Sequence, residues 1–154
     1  MAALLRDLDV EIVDAVPKIA AAGASIRDGW QLKSFCLCQS RFEEVLLLDA
    51  DQVPVADPAP LFDWPQYRET GAVFWPDIVA LRRDNPVWQA MGLEPPLQSP
   101  SFETGQILID KRRHWRLLTG AVSLNEAAAD LYQLIYGDKD TFLLAAMLAG
   151  DPYS

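Results

Sequence analysis

Val45-Leu46-Leu47-Leu48 is an unbroken apolar run set between Glu43-Glu44 and Asp49. It is too short for the core of a helix, so it reads as a strand beginning near Phe42, of the kind covered on both faces in a parallel sheet. The run ends on Asp49-Ala50-Asp51. A buried strand that delivers two carboxylates to its end constrains both the fold and the chemistry of the chain.

The neighbouring segments supply the other layers. Glu11 to Ala22 has helical composition interrupted by Pro17, and Trp30 to Gln39 reads as a helix with Leu32, Phe35 and Cys36 on one face. Val53 to Pro65 is a proline-rich connector with a turn near Leu61-Phe62, and Gly71 to Trp75 is a strand stopped by Pro76. Asp84 to Pro100 reads as a loop holding one short helix through Trp88. Gln106 to Asp110 is a third strand. Helices are expected at His114 to Gly120, at Asn125 to Tyr136, and at Thr141 to Leu148 with Asp138 as N-cap. Strands and helices in this order define an α/β class with a largely parallel sheet.

At 154 residues the chain suits one domain whose core needs no disulfide or metal staple. Cys36 and Cys38 point to different sides of a helix and are too few for a thiolate zinc site. The net charge of −9 argues against nucleic acid as a partner, yet leaves room for a nucleotide if a divalent cation bridges it to carboxylates. No apolar run reaches the roughly 18 residues of a membrane span, and the N-terminus lacks the pattern of a signal peptide.

In an extended backbone Asp49 and Asp51 project to the same side, with only Ala50 between them. Two such carboxylates repel unless a cation sits between them, and Mg²⁺ or Mn²⁺ completed by substrate phosphates is the natural occupant. The spacing alone decides little, because Asp7 to Asp9 and Asp138 to Asp140 repeat it. Asp7 and Asp9 read as solvated surface. The competing reading of Asp49 is a turn aspartate bonded to its own backbone.

The ordered set of segments resembles the fungal-type α-mannosyltransferase family, which includes α-1,3-mannosyltransferases. The segments are Trp30 and Lys33, SRFEEVLLLDAD from Ser40 to Asp51, Asp57-Pro58, Leu61-Phe62 and TGAVFWPD from Thr70 to Asp77. They continue with Asn85-Pro86, ETGQILIDK from Glu103 to Lys111, His114-Trp115 and YGDKDTF from Tyr136 to Phe142. The resemblance implies an A-type glycosyltransferase fold, Rossmann-like, acting on a nucleotide-diphospho-sugar with Mn²⁺ or Mg²⁺. It implies a division into a lead-in over residues 1–29 and the central part of a catalytic domain over 30–154, incomplete at both ends.

Carried over by position, Asp49 and Asp51 become metal ligands and donor contacts, and Lys33 a donor-binding lysine whose ammonium offsets diphosphate charge. The plain alternative for Lys33 is a solvated helix surface. Gly105 and Gln106 are expected beside the donor, with Glu103, Trp88 and Asp138 on the sugar or acceptor. Gln106 and Asp140 are the candidates for catalysis. Trp75 is expected in the core, and His114 packs or caps a helix start rather than binding metal.

The implied reaction moves mannose from GDP-mannose to a glycan or other hydroxyl acceptor with retention, helped by the leaving phosphate. Two other classes compete: an inactive nucleotide-sugar-binding protein of the same fold, and a metal-dependent phosphohydrolase built on the Asp pair.

Overall fold

A computed structural model describes residues 10–26, 28–97 and 101–154. Asp7 and Asp9 lie outside the described residues, as does the 98–100 end of the expected loop. The elements are α1 (Ala15–Ala22), α2 (Leu32–Gln39), β1 (Glu44–Leu48), a 3-10 turn (Ala59–Asp63), α3 (Pro65–Thr70) and β2 (Ala72–Pro76). They continue with α4 (Val87–Met91), β3 (Phe102–Asp110), α5 (Trp115–Glu126), α6 (Ala128–Leu131) and α7 (Asp138–Ala149).

The sheet corrects the parallel expectation. Its order is β1-β3-β2, and both pairings are antiparallel. Val45 faces Ile109 and Leu48 faces Gln106 across the first ladder. The apolar run of β1 does have cover on both faces, but it belongs to an edge strand that is half-buried rather than sealed. Val45 and Leu47 pack on the main core, while Leu46 turns to a second cluster formed by Tyr67, Val73 and Leu108. A doubly covered antiparallel strand and a parallel one therefore carry the same apolar pattern.

The main core lies between one sheet face and helices α5 and α7, where Ile107, Ile109, Leu117, Leu118, Phe142 and Leu144 are fully enclosed. Phe74 stacks on Phe102 at 4.1 Å, with Tyr153 edge-on to both. Ser154 bonds to Ala72 and Phe74, covering the outer edge of β2.

Helix boundaries follow local chemistry. Asp14 caps α1, so Pro17 falls in the first turn, where its missing N–H has no intrahelical partner to lose. The expected Asn125 to Tyr136 helix is instead split. α5 runs through Asn125 to Glu126, Ala127 breaks the geometry, and short α6 follows. Gly137, at φ 145°, takes the N-cap of α7 in place of Asp138, which becomes the first residue of the helix.

Candidate active site

Four elements meet where β1 ends. The backbone N–H of Asp49 donates to the Gly105 carbonyl at 2.8 Å, extending the ladder by one residue, and the Gln52 N–H then closes a turn on the Asp49 carbonyl at 2.9 Å. Asp51 sits exposed inside this turn. The two carboxylates are thus presented by a turn rather than by the extended backbone the sequence suggested.

Lys33 rises from the first turn of α2 to meet Asp49. Its Nζ donates to Asp49 Oδ2 at 2.9 Å, to the Thr104 carbonyl at 3.2 Å and to Thr104 Oγ1 at 3.5 Å, and lies 3.3 Å from Asp138 Oδ2. The Thr104 hydroxyl in turn donates to Asp138 Oδ2 at 3.0 Å. Burial pulls the Lys33 pKa down, but the Asp49 hydrogen bond and the Asp138 and Asp49 charges outweigh it, and the net direction is up. The lysine therefore stays an ammonium. Its side chain is 16% exposed, against 34% for Asp49, so it is not the solvated surface residue of the plain reading.

A buried polar network fixes this convergence. Asn125 Nδ2 donates to Ser34 Oγ on α2 and to Thr141 Oγ1 on α7, Tyr132 OH donates to Asn125 Oδ1, and Gln31 Nε2 donates to the Asn125 carbonyl. Lys33 and Asp138 are each close in sequence to a member of that network, so the helices that carry them are held in register by α5.

Gly105 is the point of closest approach. A Cβ there would lie 2.9 Å from Glu103 Oε1, 3.0 Å from Gln52 Nε2 and 3.6 Å from Asp49 Oδ2. Glu103 Oε1 also accepts the Gly105 N–H at 2.6 Å. The absent side chain lets three polar groups close over the strand.

Other expected site residues stand elsewhere. Gln106 pairs with Leu48 and lines an apolar cavity of about 320 Å³ with Leu46, Leu48, Gln52, Pro54 and Trp75. Asp140 is buried two residues beyond Asp138, and its Oδ2 accepts the Tyr136 N–H at 2.9 Å. Burial pushes its carboxyl up, against the Tyr136 hydrogen bond and the Lys139 charge. Trp88, expected at an acceptor groove, is a core residue whose Nε1 donates to the Arg82 carbonyl at 2.8 Å. A stacking role needs an open ring face, and 4% exposure leaves none. His114 stands at the N-cap of α5, buried, with Nε2 2.8 Å from the Thr70 carbonyl. Trp75 is half-buried against the second cluster.

Thr104 and Gln52 were missed by sequence reasoning. The signal for Thr104 lies in the antiparallel register: once Leu48 is opposite Gln106, the residues just before Gln106 must lie beside Asp49.

Oxygen ligands of the hard-cation type are present in Asp49 and Asp51. Asp49 Oδ1 carries no hydrogen bond among the described residues, while Oδ2 takes the ammonium. Among the described residues no group of three or more His, Cys, Asp or Glu side chains could enclose an ion. Asp49 and Asp51 offer carboxylate oxygens of the type Mg²⁺ or Mn²⁺ takes, and an ion held by them would need further oxygen ligands from outside these side chains.

At the end of β1 this α/β scaffold gathers an ammonium, the Asp49 carboxylate and the Thr104–Asp138 pair into one polar cluster. Comparison with known proteins gives the family. The model of the Mannosyl_trans3 family, described as a mannosyltransferase, matches residues 3–96 and 90–154, and the chain belongs to that family.

Among curated relatives it is 28% identical to alpha-1,2-mannosyltransferase MNN22 of Candida albicans over 80% of this chain and 28% of that protein. It is 29% identical to alpha-1,2-mannosyltransferase MNN2 of Saccharomyces cerevisiae over 79% of this chain and 28% of that protein. For alpha-1,2-mannosyltransferase MNN24 of Candida albicans the identity is 28%, over 81% of this chain and 23% of that protein. The chain thus spans about a quarter of the length of these relatives. The expected mannosyltransferase family is correct, but these relatives carry α-1,2 rather than α-1,3 names. Among the described residues no helix is long and apolar enough to cross a membrane.

Proposed function

We propose that this chain carries the donor grip of a metal-dependent mannosyltransferase of A-type glycosyltransferase fold, moving mannose from GDP-mannose to a glycan or other hydroxyl acceptor with retention. The observation that carries the reading is the Lys33 ammonium set 2.9 Å from Asp49 at the end of β1, in a chain of the mannosyltransferase family.

Asp49 and Asp51 would hold the cation, Mn²⁺ or Mg²⁺. When bound, it supplies Lewis-acid stabilisation of the diphosphate as negative charge builds on the leaving oxygen. Lys33 adds a fixed positive charge in a partly water-excluded site, where its effect on the departing diphosphate exceeds that of an exposed lysine. Gly105 lets Glu103, Gln52 and Asp49 close over the strand, which shapes the polar floor beside the donor. Gln106 and Glu103 remain candidates for sugar hydroxyls, and Asp140 for a supporting role behind the reacting sugar. The names of the relatives favour an α-1,2 linkage.

The test is transfer of labelled mannose from GDP-mannose to α-mannosides, with the linkage of the product read by NMR. Metal-dependent formation of an α-1,2 product supports the reading. Saturable donor binding without transfer to any acceptor would favour a nucleotide-sugar-binding protein instead.

A further inference from the structure

We propose that Asp138 and Thr104 are positioning residues that keep the Lys33 ammonium at the diphosphate when a cation takes Asp49, an inference that rests on the donor-site reading above.

Lys33 Nζ has two sets of partners. One is Asp49 Oδ2 at 2.9 Å. The other is the Thr104–Asp138 limb, with the Thr104 carbonyl at 3.2 Å, Thr104 Oγ1 at 3.5 Å and Asp138 Oδ2 at 3.3 Å. A cation on the open Oδ1 of Asp49 draws on the same carboxylate charge as the ammonium on Oδ2 and repels that ammonium. The first contact is then weakened or lost. A lysine left with no other partner would swing to solvent, since its long side chain regains substantial rotamer entropy when released.

The second limb prevents this. Asp138 is 8% exposed in the first turn of α7, and Thr104 is 3% exposed on β3. The Thr104 hydroxyl donates to Asp138 Oδ2 at 3.0 Å, which leaves the threonine oxygen's lone pairs to the ammonium. Threonine and aspartate are thus locked to each other before they hold the lysine. Asp138 also remains as the counter-charge to Lys33 once Asp49 is engaged.

Titration calorimetry on the protein with Mn²⁺ alone, with GDP plus Mn²⁺, and with GDP-mannose plus Mn²⁺ tests the assignment. The variants are Asp138→Asn, Thr104→Val, Lys33→Met and the double variants, each checked for folding by circular dichroism. Asp138→Asn is expected to weaken GDP and GDP-mannose by the same factor, about tenfold, as for loss of one hydrogen bond to a charged group. Mn²⁺ alone should bind unchanged. In the Lys33→Met background neither Asp138→Asn nor Thr104→Val should cost anything more, because the group they position is gone.

A loss confined to GDP-mannose would make Asp138 a sugar contact and overturn the proposal. A loss of Mn²⁺ binding alone would make it a metal ligand, with the same consequence. An equal loss in the Lys33→Met background would show a structural effect independent of Lys33. If Asp138→Asn fails to fold, Thr104→Val carries the same comparison. Failure of the unaltered protein to bind GDP with Mn²⁺ would overturn the donor-site reading itself, and this proposal with it.

Discussion

The Lys33 ammonium lies 2.9 Å from the Asp49 carboxylate across 16 positions of sequence, joining the first turn of α2 to the end of β1. Neither element alone presents a site. Together they set a cation against the edge of an anionic turn, where a diphosphate and its metal would each find a partner of opposite charge.

Lys33→Met separates the two halves of that arrangement. The variant removes the group that competes with a metal for Asp49, so Mn²⁺ affinity in the absence of nucleotide should be unchanged or higher. Turnover should fall by about 10²–10³, the usual loss when a preorganised charge is removed from a developing anion. Steady-state kinetics beside calorimetry with Mn²⁺ alone checks both halves, and unimpaired turnover would remove Lys33 from the mechanism.

Gly105→Ala probes the closest approach. The added methyl would meet Glu103 Oε1 and Gln52 Nε2, both ends of flexible side chains, and would lie 3.6 Å from Asp49 Oδ2. Fold stability should therefore change by less than about 1 kcal/mol, while the polar groups over the strand are displaced. Thermal melting and donor affinity measured together should show a nearly native melt and clearly weakened binding.

Trp88→Ala should behave as a core truncation. The ring is enclosed by the main cluster and its Nε1 is already bonded to the Arg82 carbonyl. A loss of about 3–5 kcal/mol is expected by chemical denaturation. A variant of native stability with impaired acceptor use would instead restore the groove role that the sequence suggested.

The Asp77–Lys139 pair carries the acid sensitivity. Both side chains are largely buried, at 11% and 15% exposed, and their hydrogen bond holds the Asp77 carboxyl below its usual range. An acid with a depressed folded pKa contributes stability above its unfolded value near 3.9, and that stability is lost as pH falls through the folded value. Asp77→Asn should cost about 1–2 kcal/mol at pH 7, as for loss of a hydrogen bond to a charged group in a partly exposed pair. The difference from the unaltered protein should shrink as pH drops below about 4. Melting curves across that range check it; a difference constant with pH would contradict the assignment.

The strands and most helices were legible because their apolar patterns are local. Val45 to Leu48, Gly71 to Trp75 and Gln106 to Asp110 each announce an extended segment, and Leu61-Phe62 does fall in a short 3-10 turn. Strand direction was not legible. The apolar run of β1 has cover on both faces, from Val45 and Leu47 on one side and Leu46 on the other, and that pattern is the same whichever way the neighbour runs. The site suffered from the same gap. Without the antiparallel register, Thr104 could not be placed beside Asp49, and Asp138 could be read as a free cap rather than as a partner of Lys33. The break at Ala127 was hidden by helix-forming composition on both sides, while the Asn125 network that favours ending α5 there depends on contacts with residues far away in sequence, such as Ser34.

The most direct measurement is calorimetric binding of GDP-mannose with and without Mn²⁺, comparing the unaltered protein with Asp49→Asn. Metal-dependent donor binding that Asp49→Asn abolishes or weakens by at least about tenfold is the expected result, as for loss of a charged ligand. Donor binding that ignores both the metal and the substitution would contradict the grip at the end of β1.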